Sequence, residues 1–159
     1  MSKYAYPDDT REEVLESLLG FELEGGWKVT TRITRKSYQS GSNFSVGYIV
    51  ERDGERAFMK AFDFWGALKS NDPIGALKTE VDTYIFEREI LEMCGEAKMT
   101  KVVRGKSYGS VPDKRAPMNQ VFYVLLELAD SDVRKHLVDN KIDFVWTMRS
   151  LHQIATALK

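Results

Sequence analysis

A lysine within an apolar strand pattern is the first residue that could do chemistry. Residues 57–62 are Ala-Phe-Met-Lys-Ala-Phe, and strand alternation places Lys60 on the same face as Phe58 and Phe62. A lysine on such a face either extends along a sheet edge with its charge in water, or reaches into a cleft and holds a phosphate as a point charge. The strand pattern alone does not choose between these two uses.

Two glutamates on a predicted helix are candidate partners for this ammonium group. Residues 76–97 repeat apolar side chains at helical spacing. Glu87 lies beside the apolar face, because Tyr84 and Leu91 are its neighbours three and four residues away. Glu89 fits nearly as well, so periodicity does not choose between the two carboxylates. Glutamates on a charged helix are usually solvated, and the helix by itself is therefore a weak signal.

Two backbone segments could contact a ligand. Residues 40–45 (Ser-Gly-Ser-Asn-Phe-Ser) form a small-residue turn, where exposed N–H groups can approach phosphate oxygens. A flexible hairpin loop is the more frequent explanation of such a turn. The apolar strand that begins at Val121 runs into a polar segment at Asp130, and the backbone groups at its exit can pair with the edge of a purine. A buried strand with an ordinary exit turn is the alternative.

The patterns along the chain predict the elements that position these residues. A short helix is predicted to end at Gly20, and residues 64–75 give no clear pattern. In the first strand, four residues alternate with polar ones and are expected to share a face: Trp27, Val29, Thr31 and Ile33. Strands are predicted over residues 27–33, 46–51, 56–64, 101–111 and 120–128, and further helices over 76–97, 133–138 and 143–159.

Together and in this order, these features resemble the N-terminal lobe of the serine/threonine-type protein kinase family. That family has a five-stranded sheet with one helix, a glycine-rich loop, a third-strand lysine and a helix glutamate. The resemblance implies an α+β fold with a five-stranded antiparallel sheet, one packed helix, and helices at both ends. It implies a helical extension over 1–24, the lobe and hinge over 25–130, and the first helices of a truncated C-terminal lobe over 131–159.

The resemblance also implies the site residues and the cofactor, which is ATP, with Mg²⁺ bound only in the complete kinase. Lys60 would hold the nucleotide phosphates as a catalytic residue, with Glu87 as its partner because the family has a Glu-x-x-Ile-Leu run. The implied nucleotide-binding residues are Gly41, Ser42, Phe44, Phe58, Lys60, the gatekeeper Leu126, the hinge residues Glu127, Leu128 and Ala129, and Asp132 near the ribose.

Several positions differ from the family's pattern. Gly47 stands where the family usually has valine, and Phe58 replaces the small alanine that lies over adenine. Two serines occupy glycine positions of the loop, and the segment between Lys60 and Glu87 is longer than usual. The sequence contains no His-Arg-Asp catalytic loop followed by an Asp-Phe-Gly metal motif. We therefore expect a fragment that is inactive alone and that acts with a protein substrate or a complementing C-terminal lobe.

Composition narrows the class of partner. Lys plus Arg (23) nearly balances Asp plus Glu (24), which argues against nucleic-acid or membrane binding driven by bulk charge. The sequence has one cysteine and no signal peptide or membrane-length apolar run, so a cytoplasmic protein is expected. The apolar side chains of the last helices predict self-association or a dedicated partner: Leu137, Phe144, Trp146 and Leu151.

Two other interpretations compete with a nucleotide-binding lobe. A kinase-like interaction module would bind a partner protein rather than ATP, and the lost loop glycines together with Phe58 favour it. An unrelated small α+β domain would carry Lys60 and Glu87 as ordinary surface charges.

Overall fold

The computed structural model describes residues 18–33, 45–62, 64–112, 120–130, 133–139 and 142–157. The predicted N-terminal helix lies outside these ranges up to residue 17, and its predicted last residues, 18–20, form a turn. Four predicted site residues also lie outside the described ranges: Gly41, Ser42, Phe44 and Asp132. The strands are β1 Lys28–Ile33, β2 Ser45–Arg52, β3 Glu55–Phe62, β4 Gly105–Pro112 and β5 Gln120–Glu127. The helices are α1 Phe64–Leu68, α2 Pro73–Glu96, α3 Val133–Asp139 and α4 Phe144–Ala157.

The five strands form one antiparallel sheet in the order β1-β2-β3-β5-β4, which confirms the α+β class. Asp53 and Gly54 connect β2 to β3 with φ angles of 51° and 82°, the left-handed geometry that a tight two-residue hairpin requires. Strand β3 is central, between β2 and β5. Lys60 consequently lies opposite Gly47 on one side and Val124 on the other.

The sheet separates two apolar clusters. On one face, Met59 and Tyr123 are buried with Leu18, Leu23 and other side chains of the segment that leads into β1. On the other face, residues of β3 and β5 pack with Tyr84 of α2. Alternation along β3 therefore places Lys60 on the helix-covered face, as the strand pattern predicts.

The expectation that four alternating residues of the first strand share a face is wrong. The register between β1 and β2 shifts at Thr30, because Val29 pairs with Val50 whereas Thr31 pairs with the adjacent Ile49. The Thr30 hydroxyl donates a hydrogen bond of 3.2 Å to the Ile49 carbonyl oxygen. A bulge of this kind moves the residues that follow it to the other face of the sheet.

Several predicted boundaries also need correction. The third strand ends at Phe62 instead of residue 64, and α1 begins at Phe64. Helix α2 begins at Pro73, before the predicted residue 76, because the Asp72 carboxylate accepts a hydrogen bond from the Gly75 backbone N–H at 3.1 Å. The fourth strand was expected from residue 101 but starts at Gly105. Across the described ranges, no helix has the length and apolar character needed to cross a bilayer.

Candidate functional site

An aromatic cluster attaches α2 to the sheet. The Tyr84 ring packs edge-on against Phe62 of β3, with ring centroids 5.3 Å apart, and lies 5.4 Å from the Phe122 ring of β5. Phe64 of α1 joins the cluster at 5.3 Å from Phe122. The longer segment between Lys60 and the helix glutamate therefore includes a short helix that packs against the same aromatic residues.

Glu87 follows Tyr84 by three residues, so both side chains are on the same side of α2. The Lys60 Nζ donates a hydrogen bond to Glu87 Oε1 and forms an ion pair with it. The two side chains are 19% and 29% exposed, whereas Glu89 is exposed on the helix surface. The predicted pairing is confirmed, and the geometry selects Glu87 where periodicity leaves both glutamates open.

The environment of Lys60 explains why a carboxylate meets it. The ammonium nitrogen lies 5.0 Å from the centroid of the Phe62 ring, on an apolar surface. An unpaired ammonium in such surroundings loses hydration without compensation. A partly exposed pair adds only about 0–1 kcal/mol to stability. Its main consequence is therefore positional: the pair holds the ammonium at the junction of β3 and α2.

The sheet surface beside Lys60 is formed by Phe58 and its neighbours on the adjacent strands. Phe58 pairs with Ile49 of β2 and with Leu126 of β5. Phe58 and Leu126 are half-buried, so part of each side chain is accessible on the same face as Lys60. The predicted gatekeeper and the predicted adenine-facing residue are thus brought together.

The predicted hinge leaves the sheet next to this surface. Glu127 is the last residue of β5, and its backbone N–H donates to the Arg104 carbonyl oxygen at 2.9 Å. Leu128 and Ala129 continue beyond the last ladder pair, Ala57 with Glu127. Their backbone groups therefore lie outside strand pairing, at the end of the strand that carries Leu126.

Sequence reasoning missed one buried carboxylate. Glu80 is only 3% exposed, and it lies one turn before Tyr84 and two turns before Glu87. This spacing places all three residues on the sheet-facing side of α2. The helical spacing of Glu80 from Tyr84 and Glu87 indicates a position on the sheet-facing side. A charged residue is usually solvated, however, so the sequence did not single out Glu80 as buried.

Two cavities lie away from Lys60, between the end of α2 and β4. One, of about 320 Å³, is lined by residues that include Leu91, Cys94 and Arg104. The other, of about 280 Å³, is lined by residues that include Glu92 and Tyr108. Among the residues that the structure describes, no group of three or more His, Cys, Asp or Glu side chains could hold a metal ion.

Helices α3 and α4 expose much of their apolar surface. Phe144 is 77% exposed, and Leu137 and Leu151 are also exposed. Trp146 is half-buried and stacks on His136, with ring centroids 5.0 Å apart. The stacked pair connects the two helices and leaves the neighbouring apolar side chains accessible.

Comparison with known proteins found no family model and no curated protein that matches this sequence. What the site can bind is therefore inferred from the geometry of its residues. A positioned ammonium group can bind an anion, a half-buried phenyl ring can contact a planar ring, and backbone groups beyond a strand end can pair with polar edges.

Proposed function

We propose that this chain is the nucleotide-binding lobe and hinge of a serine/threonine-type protein kinase, which binds ATP but does not transfer phosphate by itself. The observation that carries the proposal is the ion pair between Lys60 and Glu87, which joins the central strand to the helix packed on the sheet. The kinase resemblance implies this pairing for these two residues. The five-stranded antiparallel sheet is a second point of support.

The residues around the pair fit a nucleoside triphosphate. Lys60 presents a positive charge that is still partly exposed, which suits phosphate oxygens. Phe58 and Leu126 offer an apolar surface for a base, and the backbone of Leu128 and Ala129 can pair with its polar edge. ATP, when bound, supplies the transferable phosphoryl group, and these residues bind and orient it.

The same sequence argues against catalysis by this chain alone. Phosphoryl transfer in the kinase family depends on a catalytic-loop aspartate and on metal-binding residues that hold Mg²⁺. Neither motif occurs in the sequence in its expected place. Another segment or chain would have to supply these groups.

Equilibrium binding of ATP to the Lys60→Met variant tests the proposal. A hydrogen bond to a charged group is worth about 1.5–3 kcal/mol, so the loss of the ammonium should weaken ATP binding about 10- to 100-fold. Lys106→Met is the matched control, because Lys106 is also a strand lysine paired with a glutamate, Glu55. Failure of the wild-type chain to bind ATP, or equal effects of the two substitutions, would refute the proposal.

The exposed apolar residues of α3 and α4 favour a second candidate, a kinase-like module that binds a protein. Phe144 and Leu151 would then contact the partner, and the Lys60–Glu87 pair would only support the fold. This candidate predicts no ATP binding by the wild-type chain. The ATP titration therefore separates the two functions.

A further inference from the structure

Phe58 and Gly47 approach each other closely on the face of the sheet that carries Lys60. A Cβ atom built on Gly47 would lie 2.8 Å from Phe58 Cε2 and 3.2 Å from Phe58 Cζ, and 3.5 Å from the Cβ of Ile33. The first of these distances is too short for any real side chain. The phenyl ring therefore occupies the space that a side chain at position 47 would need.

Lack of space for a side chain, and not backbone conformation, explains why position 47 is a glycine. Gly47 does not have a positive φ, so its backbone conformation would accept any residue. Glycine inside a strand weakens it and commonly marks a close approach of another group. Here the group is the Phe58 ring, one edge of which reaches from β3 toward Gly47 on β2.

The position of the ring relates it directly to the ammonium group. Gly47 is the ladder partner of Lys60, so the ring covers the position across from Lys60. Along β3, Phe58 and Lys60 are separated by two residues, about 6.6 Å. The Phe58 ring is half-buried, so part of its surface is accessible on this face of the sheet.

We infer that Phe58, seated over Gly47, is the base-binding surface of the site, on which the planar base of a nucleoside triphosphate stacks while Lys60 holds its phosphates. This inference rests on the proposed nucleotide-binding function and adds a residue that determines ligand class. A phenyl ring favours ligands that carry a planar heterocycle over polyphosphates without one, because stacking requires a second π-face.

Binding of ATP and of inorganic tripolyphosphate, which has no base, tests the inference. Phe58→Ala and Phe58→Leu should each weaken ATP binding about 5- to 100-fold, since both remove the aromatic face. Neither should change tripolyphosphate binding by more than about 2-fold, whereas Lys60→Met should weaken both ligands. The Leu variant retains apolar volume, which distinguishes stacking from simple filling of space.

The outcomes separate this inference from the proposed function. If the wild-type chain binds ATP and Phe58→Ala binds it as tightly or more tightly, the ring obstructs the base and the inference is wrong, while nucleotide binding stands. Equal losses of ATP and tripolyphosphate in Phe58→Ala would also overturn it, because the ring would then only support the fold. Absence of any ATP binding by the wild-type chain would overturn both.

A stability measurement tests the seating of the ring without any ligand. Gly47→Val overpacks the site and should lower the urea midpoint by about 0.5–1.5 M. Adding Phe58→Ala to Gly47→Val should raise the midpoint again, because the valine then has the space of the ring. If the two substitutions have independent effects, the ring is not seated over Gly47 and the inference fails.

Discussion

Replacing Tyr84 by alanine should loosen the attachment of α2 to the sheet. Tyr84 is only 8% exposed and its ring contacts Phe62 and Phe122. An aromatic side chain buries about 150–250 Å². At about 25 cal/mol per Å², and after subtraction of the area that alanine still buries, the expected loss is about 3 kcal/mol. This value is at the low end of the range for aromatic-to-alanine changes in cores, about 3–5 kcal/mol.

Urea denaturation followed by circular dichroism measures this loss. A slope of about 2 kcal/mol per M gives a decrease in the midpoint of about 1.5 M. Tyr84→Leu keeps apolar volume and should lose less, so it provides a measurable variant if the alanine variant does not fold. Because Glu87 follows Tyr84 by less than one helical turn, the looser helix should also weaken the Lys60–Glu87 contact.

Phe86→Ala is the matched control. Phe86 lies on the same helix, two residues after Tyr84, but is 62% exposed. Its removal should change stability by no more than about 0.5 kcal/mol, as is usual for surface substitutions. If Tyr84→Ala and Phe86→Ala reduce stability equally, the assignment of the sheet-facing side of α2 is wrong.

Three further outcomes are expected. The purified chain with ATP and Mg²⁺ should transfer only background radiolabel to a protein substrate, and transfer that Lys60→Met abolishes would contradict this. Light scattering should show concentration-dependent association through α3 and α4, which Phe144→Ser reduces; a clean monomer at high concentration would count against it. A hydrogen bond to Glu92 raises the pKa of Tyr108 above its usual 10.0. The stability that Tyr108 contributes should therefore be complete below pH 10.0 and decline as pH rises through the raised value. Glu92→Gln should lower that pKa in an ultraviolet titration, and an unchanged titration would show that Glu92 is not the cause.

Local periodicity in the sequence was sufficient to predict most of the fold. Strand alternation has a period of two, so the residue types around Lys60 determined which face of β3 carries it, before any partner was known. The five strands and the long helix followed in the same way from apolar spacing and turn residues. The tight turn at Asp53 and Gly54 was equally predictable, because few residues accept positive φ.

Tertiary packing decided the features that distinguish the site. Glu87 and Glu89 both border the apolar stripe of α2, and the rotation of the helix, set by Tyr84 against Phe62, determines which of them meets Lys60. The bulge at Thr30 moved the end of β1 to the other face, although the residues before and after it alternate without interruption. Such outcomes depend on contacts between residues far apart in the chain, which periodicity does not encode. The close approach of Phe58 to Gly47 belongs to the same group, because it exists only once β2 and β3 are paired in register.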